Sequence, residues 1–371
     1  MAGRVRHPID ISSLERYLNQ HVPQIKTPLE VKQFGFGQSN PTYQLTAADQ
    51  RRYVLRKKPP GKLLSKSAHK VEREYRIIAA LGPTDVPVPR ADWLCEDAAV
   101  VGTPFYIMEF LDGRIFEDQS LPDVAPEKRA GLWKAAVQTL ARLHRVDFRA
   151  VGLASFGKSD HFYDRQLATW RQICETQAQA IDVDTREPVG QIPHLEDTLR
   201  FFADPGRQPR DRATVVHGDY KLDNMVFHKT EPRVLGLLDW EMSTIGHPLS
   251  DLANMLMPFF TAEASRSFNP RSEAFLPGAT PGLPSPDDVL GWYQDAAGWD
   301  PRPEFHWALA FSVFKLSGIA QGIAARYATR QASSAEARKY AQAFQPLGEL
   351  AWSLVEQEKA KSKTKGAVAK L

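Results

Sequence analysis

The chain has 371 residues, of which 43% are apolar and 25% charged, with a net charge of only +3. That balance fits a soluble globular protein with ample core and gives no argument for nucleic acid as a partner. No apolar run is expected to cross a membrane, MAGRVRHPIDISS lacks the apolar stretch of a secretory signal, and Cys95 and Cys174 have no CxxC spacing, which points to a reduced compartment without a cysteine zinc site.

In chain order, DISSLERYLNQ (10–20) predicts a helix capped by Ser12 or Ser13. LEVKQFGFGQSNPTYQLTAADQRRYVLRKKP predicts strand, glycine loop, strand, turn and strand, with Gly35 and Gly37 in the loop. SAHKVEREYRIIAAL is helical, because Val71, Tyr75, Ile78 and Leu81 share a face. Two more extended segments follow, VPVPRADWLCED and PFYIMEFLDG, the first kept near a sheet edge by Pro87 and Pro89. After Gly113 the pattern turns helical, in EKRAGLWKAAVQTLARLHRV, YDRQLATWRQICETQAQAI and HPLSDLANMLMPFF. Residues 264–287, rich in Pro, Gly and Ser, predict a long loop. EFHWALAFSVFKLSGIAQGIAARYA predicts a long buried helix, its glycines and Lys315 arguing against a membrane span. No internal repeat is found. The expected fold class is α+β and bilobal, a small antiparallel β lobe over residues 1–112 and a larger, mainly helical lobe over 113–360. A basic, disordered tail is expected over 361–371.

The chemistry concentrates in VVHGDYKLDN (215–224), which is followed by VLGLLDWE. Asp219 and Asn224 stand five positions apart, and Asp239 fifteen further on. Phosphoryl transfer needs a carboxylate to orient the attacking hydroxyl, oxygen ligands for Mg²⁺ and positive charge near the γ-phosphate. Mg²⁺ takes a few protein oxygens and completes its shell with phosphates and water. An Asp and an Asn on one loop, with an Asp closing the next hairpin, meet that need, and the flanking apolar strands would hold the loop rigid.

HGDYKLDN, GLLDWE and HPLSDLA together resemble the aminoglycoside phosphotransferase-type kinases, which are similar in fold to protein kinases. YVLR, VEREYRIIAAL with VPVP, and YIMEFLDG extend the likeness over roughly residues 30–330. Within the family, LRKKPPGKLL and FYDRQLATWRQ are most similar to the kinase-like region of acyl-CoA dehydrogenase family members 10 and 11. The resemblance implies that Asp219 is the catalytic base or hydroxyl-orienting acid, that Asn224 and Asp239 bind Mg²⁺, and that Asp251 braces the catalytic loop. It places Lys221 at the γ-phosphate, backbone groups of Glu109 and Leu111 at adenine, and Gly37, Gln38, Ser39 and Asn40 over the nucleotide, which would be ATP or GTP. Arg56 would occupy the place of the phosphate-gripping lysine, paired to Glu74. Lys57 is the alternative, because strand alternation sends the two side chains to opposite faces.

Blander readings stand beside these. His217 anchors a loop, His228 and His247 cap or pack, and Asp223 and Glu241 are solvated or act behind the metal ligands. Trp170, Trp240 and Trp307 are core, with Trp170 and Tyr163 as alternative walls of an acceptor pocket. Three functions are compatible with the motifs: a small-molecule kinase, a nucleotide-binding module without catalysis, and a metal-dependent hydrolase using His217, Asp219 and Asp223. The kinase fits best, with a hydroxyl acceptor that is anionic or amphipathic, such as a hydroxyacyl compound. Finally, Ala369-Lys370-Leu371 departs by one small change from the peroxisomal address S-K-L. In a eukaryote it implies an import receptor as a partner and a peroxisomal location; otherwise the expected location is the cytoplasm.

Overall fold

The structure is a computed structural model that describes residues 2–3, 5–35, 40–59, 70–332 and 337–368, with residues 2 and 362–368 described by backbone alone. The first part of the chain runs β1 (Ala2–Gly3), α1 (Ile11–His21), β2 (Glu30–Phe34), β3 (Thr42–Thr46), β4 (Arg52–Lys57), α2 (Val71–Leu81), β5 (Ala91–Cys95), α3 (Ala98–Val101) and β6 (Phe105–Glu109). Its six strands form an antiparallel sheet in the order β1-β2-β3-β4-β6-β5. The strand after Pro87 and Pro89 is thus the edge strand β5. The helix α1 starts two residues earlier than its sequence suggests. Asp10 is the cap, its carboxylate accepting the Ser13 N–H at 2.8 Å, so neither Ser12 nor Ser13 takes that role.

Period-two alternation divides the sheet between two cores. Tyr43, Leu45, Tyr53, Leu55, Phe105 and Ile107 pack on one face with Leu14 and Leu18 of α1. Val54, Tyr106 and Met108 face the other way and join α2 and the helical part of the chain in a second core.

The helical part contains α4 (Pro126–Arg145), α5 (Phe162–Ala178), α6 (Leu195–Phe202), β7 (Thr214–Val216), β8 (Met225–Phe227), β9 (Val234–Leu237), β10 (Thr244–Gly246), α7 (Leu249–Ser265), α8 (Pro286–Ala297), α9 (Arg302–Ala328), α10 (Ala337–Ala341) and α11 (Phe344–Val368). Four expectations are corrected. Residues 264–287 are not one loop: α7 runs on to Ser265, a 3-10 turn occupies Pro270–Phe275, and a Ser285–Asp288 capping box opens α8. The tail expected to be disordered is helix as far as Val368, and α11 had no predicted counterpart, although Phe344, Leu347, Ala351 and Val355 fall at helical spacing on one buried face. Third, α9 is long and apolar enough to cross a membrane by length and composition, with 72% of its apolar window buried. Such burial marks the core helix of a globular fold. Fourth, Trp170 is half-buried, while Trp240 and Trp307 are core. Ala369, Lys370 and Leu371 lie outside the described residues.

Candidate active site

The site is built where the sheet faces the two short hairpin-like pairs of the helical part. Strands β7 and β10 pair antiparallel, Val216 opposite Thr244, and β8 and β9 pair with Met225 opposite Leu237. The second pairing sets Asn224, just before β8, beside Leu238, whose N–H donates to the Asn224 carbonyl at 2.8 Å. Asp239 follows directly. Fifteen residues of sequence separation therefore close to a hairpin's width.

The loop between β7 and β8 is pinned from beneath. Asp251, buried on α7, accepts the N–H of His217 at 2.7 Å and of Gly218 at 2.9 Å. Burial favours its neutral form, but His144, His217 and the Gly218 N–H outweigh it and hold the carboxyl below its ordinary range. The His217 Nε2 donates to the Leu238 carbonyl at 2.9 Å, and its Nδ1 accepts the Asp219 N–H at 3.3 Å. Both ring nitrogens are thereby engaged by backbone, which leaves His217 no role as a metal ligand or base and removes the hydrolase reading. Gly218 has φ +88°, and a Cβ there would lie 2.4 Å from the Met242 carbonyl oxygen, so only glycine fits.

Above this floor, Asn224 Nδ2 donates to the Asp219 carbonyl at 2.8 Å and to its Oδ2 at 2.9 Å. Those bonds turn the amide oxygen away from Asp219. Lys221 Nζ stands 3.4 Å from Asp219 Oδ2 and 3.2 Å from Asp223 Oδ2. Burial works against the ammonium, yet the two carboxylates prevail and raise its pKa. Asp223, half-buried, is pushed up by desolvation against the pull of Lys221. The Asp219 side chain keeps 38% exposure, enough to meet a substrate from the cleft.

From the sheet, Arg56 points into the cleft and Lys57 away from it. The Lys57 ammonium donates to the Val101 carbonyl at 2.6 Å, on the side of α3. Arg56 Nε stands 3.0 Å from Glu74 Oε2 of α2, an ion pair without a well-aligned hydrogen bond, while Nη2 donates to Asp239 Oδ1 at 2.7 Å and Glu241 Oε2 at 3.3 Å. Burial disfavours the guanidinium, but Glu74, Tyr106, Asp239 and Glu241 hold it charged. Glu74 also accepts from Asn40 Nδ2 at 2.7 Å and Tyr106 OH at 3.1 Å. Burial pushes its carboxyl up to about 7, against the pull of Arg56. One guanidinium thus faces three carboxylates, a surplus of negative charge at Asp239 and Glu241 that suits a divalent cation.

The donor set fits Mg²⁺. Among the described residues no three His, Cys, Asp or Glu side chains gather into a self-sufficient metal cage. The Asn224 amide oxygen and the Asp239 carboxylate are instead a hard, incomplete pair of the kind that leaves room for phosphates and water.

The segment leaving β6 straps the sheet to the helical part. Arg114 and Phe227 exchange backbone hydrogen bonds at 2.7 and 2.8 Å, and Gly236 leaves room for Leu111, whose Cδ1 would lie 2.2 Å from a Cβ there. The Glu109 N–H donates to the Arg90 carbonyl at 2.9 Å. The Leu111 N–H has no acceptor among the described residues. Gly37, Gln38 and Ser39 lie outside the described residues, and Asn40 reaches the site through Glu74.

Sequence reasoning missed His144 and Tyr106. His144 Nε2 stands 3.3 Å from Asp251 Oδ2 and its Nδ1 2.8 Å from Tyr293 OH. On a helix that reads as an ordinary amphipathic stripe, nothing local marks it. Glu241 was expected to be solvated or to act behind the metal ligands, and the structure gives the second: it pairs with the Arg56 guanidinium that also holds Asp239.

This geometry defines a bilobal, kinase-like phosphotransferase with an alcohol acceptor. The chain belongs to the phosphotransferase enzyme family, whose model matches residues 30–284. It is 40% identical over 349 residues to acyl-CoA dehydrogenase family member 11 of Rattus norvegicus, covering 93% of this chain but 43% of that protein, so the chain spans less than half the relative's length. It is 36% identical to a candidate aminoglycoside phosphotransferase of Ralstonia eutropha of known crystal structure, with a TM-score of 0.81 over 94% of this chain and 99% of that one. An ADP-bound aminoglycoside phosphotransferase, 14% identical with a TM-score of 0.54 over 92% and 99% of the two chains, shares the fold.

Proposed function

We propose that the chain is a kinase that transfers the γ-phosphate of a Mg²⁺-nucleotide, ATP or GTP, to the hydroxyl of a hydroxyacyl compound. The observation that carries the reading is the convergence on one cleft of Arg56 from the sheet and Glu74 from α2 with Asp219, Asn224 and Asp239 from the opposite lobe. Arg56 would take the α- and β-phosphates, its planar fork suiting bidentate binding of oxyanions. Asn40 and the glycine loop would cover the nucleotide, and Leu111 would offer adenine its N–H and Glu109 its carbonyl. Asp219 would orient the acceptor hydroxyl and receive its proton, while Lys221 meets the γ-phosphate. Asn224 and Asp239 would hold Mg²⁺, which would supply charge stabilisation to the transferring phosphate.

The acceptor class rests on two supports. The chain matches part of a relative named as an acyl-CoA dehydrogenase, which favours an acyl compound. In addition, Lys315 of α9 has no ion pair or hydrogen bond among the described residues and stands 5.9 Å from the ring of Trp170 of α5, which the sequence offers as a wall of the acceptor pocket. Burial lowers its pKa, and an anionic acceptor would restore its charge. The test is release of ADP with Mg²⁺ across hydroxyacyl compounds, aminoglycosides and simple sugars. Turnover concentrated in the first group is expected. Strong aminoglycoside turnover would overturn the acceptor class, and no Mg²⁺-dependent nucleotide binding at all would overturn the kinase.

A further inference from the structure

A cavity of about 330 Å³ opens behind the catalytic loop, lined by His144, Arg145, Arg212, Thr214, Pro248 and Trp299 among others. None of its lining residues belongs to the cleft set of Arg56, Asp219, Asn224 and Asp239. Two arginines, Arg145 and Arg212, line it, and none of the lining residues is acidic. Among the described residues neither Arg145 nor Arg212 has a salt-bridge partner. The Arg212 guanidinium stacks 4.2 Å from the centre of the Trp299 ring. Stacking occupies the face of a guanidinium and leaves its N–H groups free in the plane. The Nε of Arg212 is buried and has no hydrogen-bond acceptor, although a buried donor is nearly always satisfied. Pro248, the N-terminal residue flanking α7, also lines the cavity, so the positive end of a 17-residue helix adds to the field.

We propose that this cavity binds the phosphate group of a small ligand, separately from the nucleotide. A dianion matches two guanidinium groups in charge, its oxygens supply the acceptor that the Arg212 Nε lacks, and the fork geometry of arginine favours phosphate over a halide or an apolar guest. The ligand is free phosphate or a small phosphomonoester. The site touches the catalytic machinery through one residue. His144 lines the cavity and bonds to Asp251, which holds the His217 and Gly218 N–H groups.

Titration calorimetry of the full chain with inorganic phosphate, and separately with glycerol 3-phosphate, tests the site. Saturable binding is expected to weaken about tenfold or more in Arg212→Gln and in Arg145→Gln, and to persist in Arg56→Ala. Arg145 is exposed, so its variant remains informative if Arg212→Gln fails to fold. Tighter binding of the ester identifies a phosphomonoester, and equal binding identifies phosphate itself. Absence of saturable binding at millimolar ligand, or binding lost in Arg56→Ala and kept in both other variants, would overturn the proposal and leave the kinase reading untouched.

Discussion

Arg56 shows how one side chain can depend on its strand's phase. Its neighbour Lys57 carries the same charge yet is spent on the Val101 carbonyl across the sheet, while Arg56 reaches Glu74, Asp239 and Glu241. Arg56→Ala is expected to raise the nucleotide Kd about tenfold or more, equivalent to roughly 1.4 kcal/mol. Lys57→Ala should leave Kd unchanged and cost on the order of 1 kcal/mol of stability. Nucleotide titrations and urea unfolding of both variants separate the two effects, and the reverse result would refute the assigned roles. Asp219→Ala should lower turnover by roughly a hundred- to ten-thousand-fold while nucleotide still binds, since its carboxylate contacts Asn224 and Lys221 but no group of the sheet. Unchanged ADP release with a true acceptor would remove Asp219 from the chemistry.

At the scale of elements, the junction of β10 and α7 couples stability to pH. His247 bonds the Arg210 carbonyl through Nε2 at 3.0 Å and accepts the Leu249 N–H at Nδ1. Burial pulls its pKa down to about 4, so the folded chain resists a proton that the unfolded chain accepts near pH 6.5. The stability held above pH 6.5 is therefore lost as pH falls toward 4, by up to about 3 kcal/mol. Urea unfolding across that window should show this loss, and His247→Gln should flatten it; an identical slope in the variant would rule His247 out as its source. The helix α11 carries a second expectation. Removing residues 344–371 uncovers the face of α9 that Leu347, Ala351 and Val355 cover, and the truncated chain should aggregate or lose its cooperative transition. Removing only residues 362–371 should leave the transition in place.

For the molecule as a whole, one core joins α2 and the inner face of the sheet to the helical part, and the Arg56 bridge to Asp239 and Glu241 spans the cleft between the lobes. A ligand that holds both sides should stabilise the entire fold. At a hundredfold excess over its Kd, Mg²⁺-nucleotide is expected to add about 2.7 kcal/mol, read as a higher thermal midpoint. In Asp239→Ala the Mg²⁺-dependent part of that gain should disappear, and its survival would place the metal elsewhere.

The sequence alone determined much of this. Short-range patterns set strands β2 to β6, α2, α4, α5 and α9, because alternation and helical periodicity are local properties, whereas the two-residue β1 is defined only by its pairing with β2. The spacing of Asp219, Asn224 and Asp239 was equally legible, since a hairpin of fixed register must bring its two ends together. Only the tertiary structure decided the rest. That Arg56 meets Glu241, that His144 stands behind Asp251, and that Arg212 and Arg145 share a cavity all depend on elements tens to more than a hundred residues apart. The helices α8 and α11 escaped notice although Val289, Leu290 and Tyr293 in the one and Leu347, Ala351, Leu354 and Val355 in the other fall at helical spacing: the Pro- and Gly-rich stretch before α8 and the Lys-rich end of α11 read as interruption. Residues 264–287 read as a loop because Pro and Gly signal interruption, but they do not signal that α7 persists to Ser265 or that Ser285 and Asp288 cap the next helix. Pairing and burial across distant segments are properties of the packed chain, and composition and periodicity carry no record of them.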